Sequence, residues 1–303
     1  MRVLVTGGLG YCGSVLVPKL MREHHVTIWD AHWFGNHIGV RADIVDIRRE
    51  LPSLRGFNAV IHLAAVANDP CGELDSKLTW EVNALATMRL ADECARAGVK
   101  RFIYASSGSV YGVSNEPDVI ESLRCDPISD YNKTKMVAER AVLSYSSAMS
   151  VCVVRPATVC GMSPRMRLDV AVNALTVRAL TGGKITVFGG SQIRPNIHIE
   201  DLTDLYVYML NHDECGGVYN AGFENMSIDE IACAVKEICG GDIVRTESND
   251  PRSYRLSSKR LVSQTPFRPR HTVRDAIWKM KQAYEHGTLK DSEICYNLKA
   301  MPR

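Results

Sequence analysis

The sequence lacks the paired cysteines that zinc sites and dithiol centres use. Its ten cysteines are scattered singly, with no C-x-x-C among them, and they read as reduced, mostly buried packing residues. No apolar run reaches the roughly 18 residues that a membrane helix needs. Charge of one sign is not in excess: 36 Lys and Arg stand against 34 Asp and Glu. Nothing in that balance calls for a nucleic-acid partner. There is no internal repeat and no low-complexity segment. Met1-Arg2-Val3 enters an apolar strand at once, which predicts no signal or transit peptide and a cytoplasmic chain. His24-His25 has no metal-ligand company, so no metal is expected. What remains is an ordinary globular composition, 46% hydrophobic over 303 residues, enough for one large domain or a domain with a lobe.

Two patterns stand out in what is present. Tyr131 and Lys135 are four residues apart in Ser129-Asp130-Tyr131-Asn132-Lys133-Thr134-Lys135. On a helix, residues i and i+4 share a face. A lysine ammonium there favours the phenolate and lowers the tyrosine pKa from its usual value of about 10, which makes Tyr131 a candidate proton-transfer group. The second pattern is Thr6-Gly7-Gly8-Leu9-Gly10-Tyr11-Cys12-Gly13-Ser14, between the apolar strand Arg2-Val3-Leu4-Val5 and an apolar helix. Strand, glycine turn and helix are the context of a dinucleotide-binding site. Backbone N–H groups of the turn, from Gly7 and Gly10 through Tyr11, Cys12 and Gly13, approach a pyrophosphate at the helix N-terminus. Cys12 reads either as a reactive thiol or as a small filler.

Asp30 ends a second strand, Val26-Thr27-Ile28-Trp29-Asp30, 17 residues after Gly13. A carboxylate there accepts hydrogen bonds from ribose hydroxyls and repels a 2′-phosphate, so NAD is expected over NADP. The plainer alternative is that Asp30 merely closes the strand. Strand-like and helix-like segments then alternate. Ala42–Ile44, Ala59–Ala65, Arg101–Ala105 and Val151–Val154 read as strands, and Leu78–Ala97 as one long helix. Alternation predicts an α/β fold, a Rossmann-type doubly wound parallel sheet over 1–160 to which later segments return. Residues 161–286 read as a smaller C-terminal α/β substrate-binding lobe, and 287–303, with weak periodicity, as a loosely held tail.

Ala105-Ser106-Ser107-Gly108-Ser109-Val110-Tyr111-Gly112 follows the fifth strand. A hydroxyl at that carboxyl end overlooks the cofactor crevice, so Ser107, Tyr131 and Lys135 form a coherent catalytic set. In it Tyr131 transfers a proton, Ser107 orients the reacting oxygen, and Lys135 tunes the tyrosine and holds the nicotinamide ribose. As turn formers only, the serines carry no chemistry.

Over residues 1 to 285 the chain resembles the extended short-chain dehydrogenase/reductase family, in its nucleotide-sugar epimerase branch. The resemblance rests on TGGLGYCGS at 6–14, Asp30, Asp43-Ile44, HLAA at 62–65, SSGSVYG at 106–112, YNKTK at 131–135, RPATVCG at 155–161 and RPNIHIEDL at 194–202. It implies that Asp43 and Ile44 flank the adenine and that Leu63, Ala64 and Ala65 line the cofactor path. It also implies that Ser107 is the catalytic hydroxyl, that Arg194 contacts a nucleotide diphosphate, and that two copies pair through helices around 84–97 and 132–146. Related 4,6-dehydratases carry Asp-Glu after the catalytic hydroxyl; Gly108 and Ser109 stand here, which argues against water elimination. Galactose-type epimerases carry Asn where Thr158 stands, so the nucleotide stays open. Arg165, Arg167 and Arg252 are further candidates for diphosphate or sugar contacts, or for plain surface ion pairs.

The expected function is epimerisation of a nucleotide-diphosphate sugar, at C4, by transient oxidation with retained NAD. The same parts serve a sugar 4-dehydrogenase or 4-ketoreductase, and the fold also carries cofactor-sensing binding proteins, which commonly lack the tyrosine or the lysine.

Overall fold

A computed structural model describes residues 1–114, 116–247 and 253–301. Twelve strands run in chain order as β1 Arg2–Thr6, β2 His25–Asp30, β3 Asp43–Ile44, β4 Ala59–His62, β5 Arg101–Ala105, β6 Ser150–Pro156, β7 Thr158–Cys160, β8 Lys184–Phe188, β9 Ile193–His198, β10 Gly217–Ala221, β11 Glu224–Ser227 and β12 Asp242–Thr246. The principal helices are α1 Gly13–Leu20, α2 Asp69–Leu74, α3 Ser76–Trp80, α4 Ala86–Ala97, α5 Asp130–Leu143, α6 Ala171–Gly182, α7 Ile199–Asn211, α8 Ile228–Cys239, α9 Lys259–Gln264, α10 Val273–Glu285 and α11 Asn297–Ala300.

The main sheet has seven strands in the order β10-β6-β5-β4-β1-β2-β3, and every pairing in it is parallel. Side chains alternate across the pleat, and both faces are buried. Val3 and Val5 enter the core shared with α1 and α7, where Leu16, Leu20, Leu205 and Met209 pack. Leu4 enters the opposite core with Leu90 and Cys94 of α4 and Ala138 and Val142 of α5. Strand order reverses direction at β1 and β4, so a crevice opens at their carboxyl ends, where such sheets bind ligands.

Beyond residue 160 the chain divides its contribution. β10 and α7 join the main sheet and its core. α6, α8 and α10 enclose a separate apolar cluster with β8, including Val172, Ile185, Ile231 and Ile277. The small sheet β11-β9-β7 carries the chain between them.

Two expectations change here. The helix read as continuous over 78–97 is broken by a π-helical turn, Glu81–Leu85. Asn83 in that turn is buried, and its amide clamps Val66 of the loop after β4: Nδ2 donates to the carbonyl at 2.9 Å and Oδ1 accepts the N–H at 2.8 Å. An inserted residue turns a polar side chain inward where regular spacing would not. The terminal segment, expected to be loose, is docked. Leu289, Cys295 and Met301 are buried, and the Leu168 N–H donates to the Cys295 carbonyl at 2.8 Å. Its anchors are isolated side chains rather than a helical stripe, so no periodicity announced them.

Candidate active site

A cavity of about 640 Å³ opens over the carboxyl ends of β1 and β4 and reaches into the small lobe. The glycine turn forms its floor. Gly7 has φ +71°, and a Cβ there would stand 2.6 Å from the Ala64 nitrogen. A Cβ on Gly13 would stand 2.5 Å from the Gly7 carbonyl oxygen. Neither position tolerates a side chain, so the turn stays thin enough for a diphosphate to reach the α1 N-terminus. Gly10, Tyr11 and Cys12 also line the cavity, as do Leu63, Ala64 and Ala65. The Tyr11 hydroxyl is engaged away from the reacting groups: it donates to the Gly161 carbonyl at 2.7 Å and accepts from Asn173 at 3.0 Å. Burial pushes the Cys12 thiol up to about 11, against the lowering fields of Arg167 and Arg165. That favours the filler reading over a reactive thiolate.

Asp30 also lines the cavity. Its carboxylate accepts the Leu9 N–H at 3.0 Å and the His32 N–H at 2.8 Å. Burial raises its pKa, and those two backbone hydrogen bonds oppose the rise. With one bond to each oxygen, lone pairs remain for a ribose diol. The cradle, the helix end and this acid together fit NAD. Replacing Asp30 by alanine is expected to narrow the preference for NAD(H) over NADP(H), because the charge opposing a 2′-phosphate is gone; titrations with both cofactors read the ratio, and an unchanged ratio removes Asp30 from cofactor choice.

Two other residues expected at the cofactor lie on the sheet edge beside Asp30. Asp43 and Ile44 are exposed on β3, Ile44 76% so. They pair with Trp29 and Asp30 as the sheet edge. Asp46 and Ile47, three residues on, line the cavity. The sequence signal was present as a second Asp-Ile pair. The Asp46 carboxylate is held by Arg48, Nη2 to Oδ2 at 2.6 Å, which lowers its pKa. Trp33, Phe34, Arg178 and Asn297 also line the cavity and had no motif to mark them.

Ser107, Tyr131 and Lys135 come together on the cavity wall. Ser129 caps α5 by accepting the Asn132 N–H at 3.2 Å, which starts the helix just ahead of Tyr131. Lys135 is almost fully buried; its Nζ donates to the Ala105 carbonyl at 2.8 Å and lies 5.0 Å from the Tyr104 ring centre. Burial pulls Lys135 down to about 7, and Glu139 opposes this. Tyr131 departs from expectation: burial pushes it up to about 12. The Ser107 hydroxyl lowers it, Asp69 raises it and Arg167 lowers it. Arg167, from a distant segment, is a cation that lowers the phenol. Ser107 is held in turn: its Oγ is 2.7 Å from Ser109 Oγ, which bonds to Asn132.

Thr158, Arg165, Arg167 and Arg194 also line the cavity. Arg252 lies outside the described residues. Arg167 pairs with Asp169 at 2.8 Å. Among the described residues no cluster of His, Cys, Asp or Glu has the form of a metal site, and no helix is long and apolar enough to cross a membrane.

Comparison with known proteins agrees with this geometry. The UDP-glucose 4-epimerase of Corynebacterium glutamicum is 29% identical over 307 aligned positions, spanning 90% of this chain and 92% of that protein. The solved structure of MoeE5 with UDP-glucuronic acid and NAD superposes with a TM-score of 0.84 at 28% identity, over 95% of this chain and 100% of that one. The UDP-glucose 4-epimerase of Thermus thermophilus, solved with NAD, gives 0.84 at 26% identity, over 94% and 99%. The profile of the NAD dependent epimerase/dehydratase family matches residues 3–222, and with the glycine cradle, Asp30 and the Ser107–Tyr131 pair in one cavity, this chain belongs to that family.

Proposed function

We propose that this enzyme epimerises a UDP-sugar at C4 with retained NAD. The observation that carries the reading is the meeting of Ser107, Tyr131 and Lys135 on one cavity wall, with the Ser107 hydroxyl acting on the Tyr131 phenol. It gives one proton acceptor and one orienting donor at a single point over the carboxyl ends of β4 and β5. NAD supplies the hydride acceptor and donor for transient oxidation. Tyr131 takes the proton of the sugar hydroxyl and later returns it. Ser107 holds the reacting oxygen through both steps, and Lys135 anchors the cofactor's nicotinamide ribose. Gly108 and Ser109, where an acid–base pair would serve water elimination, leave the sugar's other hydroxyls in place.

The nucleotide comes from the relatives, whose names specify UDP-glucose as substrate or complexed ligand. Thr158 and Arg194 face the substrate end in this reading. Incubation with UDP-glucose, UDP-glucuronic acid and UDP-arabinose, read by proton NMR, tests it. Interconversion of C4 epimers without net NADH is the expected result. Accumulation of NADH with a 4-keto sugar would make the enzyme a dehydrogenase.

The protein acts as a cytoplasmic homodimer in this reading. All ten cysteines are free, as a reducing compartment keeps them. Leu85, 59% exposed, and Met88, 40% exposed, put an apolar patch at the start of α4. A second copy would cover it. Light scattering is expected to give twice the 33.6 kDa chain mass; a monomer at micromolar concentration removes the dimer.

A further inference from the structure

We propose that Arg165 is a ligand for the pyrophosphate of the bound dinucleotide, braced against the glycine turn by the carboxyl-terminal segment. Arg165 is 2% exposed yet forms part of the cavity wall. Its Nη2 donates to Asn297 Oδ1 at 2.6 Å, and its guanidinium lies 3.8 Å from the centre of the Phe34 ring. Its Nε is buried without a hydrogen-bond partner. Among the described residues no carboxylate pairs with it. The one acid of its own loop, Asp169, is bonded to Arg167 through one oxygen and to the Asn297 N–H through the other. Two buried guanidinium groups thus share one carboxylate. A buried cation without a counter-ion is costly unless an anion completes the site, and the guanidinium fork matches phosphate oxygens. Burial, and after it the neighbouring Arg167 charge, pull Arg165 down to about 10.

The placement favours the dinucleotide over the sugar nucleotide. Ser163, two residues earlier, donates its Oγ to the Tyr11 carbonyl at 2.7 Å, which fastens this loop onto the cofactor turn. Phe34 is four residues beyond Asp30, on the ribose side. The charge of Arg165 is felt at Asp30, whereas that of Arg167 is felt at Tyr131. Stacked on Phe34, Arg165 stands on the side of the cavity that Asp30 lines. The site combines a ring from the loop after β2, a guanidinium from the loop after β7 and an amide from α11. These three separated segments already meet at the guanidinium.

This inference rests on the family's dinucleotide cofactor, and its test reads binding alone, apart from any sugar turnover. The full chain, cofactor-stripped, is titrated calorimetrically with ADP-ribose, adenosine and UDP, as wild type and as Arg165→Gln. The expected result is that ADP-ribose weakens about ten- to a hundredfold, while adenosine and UDP hold their affinities. Asn297→Ala keeps the guanidinium and removes its brace. It is expected to weaken ADP-ribose by a smaller factor and to leave UDP unchanged, with a thermal midpoint that reports folding independently. UDP weakened with ADP-ribose unchanged would assign Arg165 to the substrate diphosphate and overturn the proposal. Unchanged affinity for both would leave Arg165 a brace for the terminal segment alone, and overturn it equally.

Discussion

Tyr131→Phe is expected to lower turnover about 10²- to 10⁴-fold, the usual worth of a positioned acid–base group, while fold and cofactor affinity survive. The substitution removes one oxygen and leaves the ring's packing in place. Its pH signature follows from the environment of the phenol. Burial pushes Tyr131 up to about 12, so the neutral phenol prevails throughout the working range in the free protein. The oxidative step needs the phenolate. Its rate is therefore expected to rise with pH, without a plateau, as far as the fold survives. Arg167 lowers the tyrosine and Asp69 raises it. Arg167→Gln should move the rising limb to higher pH, and Asp69→Asn should move it to lower pH. Opposite displacements by two substitutions are difficult to obtain from general damage to the fold. A Tyr131→Phe enzyme with near-normal turnover would remove the mechanism. Pre-steady-state NADH formation on the native sugar nucleotide is the measurement, because it isolates the oxidative step from product release.

Arg155→Met is expected to cost about 3–5 kcal/mol of stability, the usual consequence of leaving a buried charge without its partner. Arg155 and Glu139 are both buried, joined at 2.6 Å between Nη2 and Oε2 and at 3.0 Å between Nε and Oε1. Arg155 Nη1 also donates to the Tyr111 hydroxyl at 2.7 Å, which donates to Asn220 at 2.8 Å. Ser106, beside Ser107, bonds to the same Glu139. The network ties β5, α5, β6 and β10 together beneath the reacting groups. Removing the arginine strands the carboxylate and frees a tyrosine hydroxyl in one change. Urea unfolding reads the loss. Glu139→Gln combined with Arg155→Met should cost less than the sum of the two single changes, because the stranded charge is gone. A single-variant loss below about 1 kcal/mol, the scale of an exposed pair, would show that the pair is solvated.

Much of this protein was legible from one chain because the information is local. The strand Arg2–Thr6, the turn through Gly13 and the helix after it are contiguous, and glycine is required there for reasons a neighbouring backbone imposes. The Tyr131–Lys135 spacing places both residues on one cavity wall because a helix carries them there. Alternation of strand and helix was enough to read the parallel sheet, since a buried strand must be apolar on both faces.

What needed the tertiary structure was every property set by segments far apart in sequence. Two Asp-Ile pairs, at 43–44 and 46–47, look alike in the chain. Pairing with Trp29 and Asp30 occupies the first as the sheet edge and leaves the second facing the cavity. No spacing rule decides where an edge strand stops. The tyrosine shift reversed for the same reason. Helical proximity argued for a lowered pKa, but burial, which the whole fold creates, is the largest influence on the phenol and raises it. Residues 287–301 looked featureless, since single anchors hold them and a stripe does not; only the folded chain brings Asn297 to Arg165, and Arg165 to Phe34. The sequence by itself determined the main elements, the glycine turn and the placing of Tyr131 and Lys135 on one wall, through short-range geometry. Charge, burial and the closure of the cavity were decided by contacts between segments that the chain keeps far apart and only folding brings together.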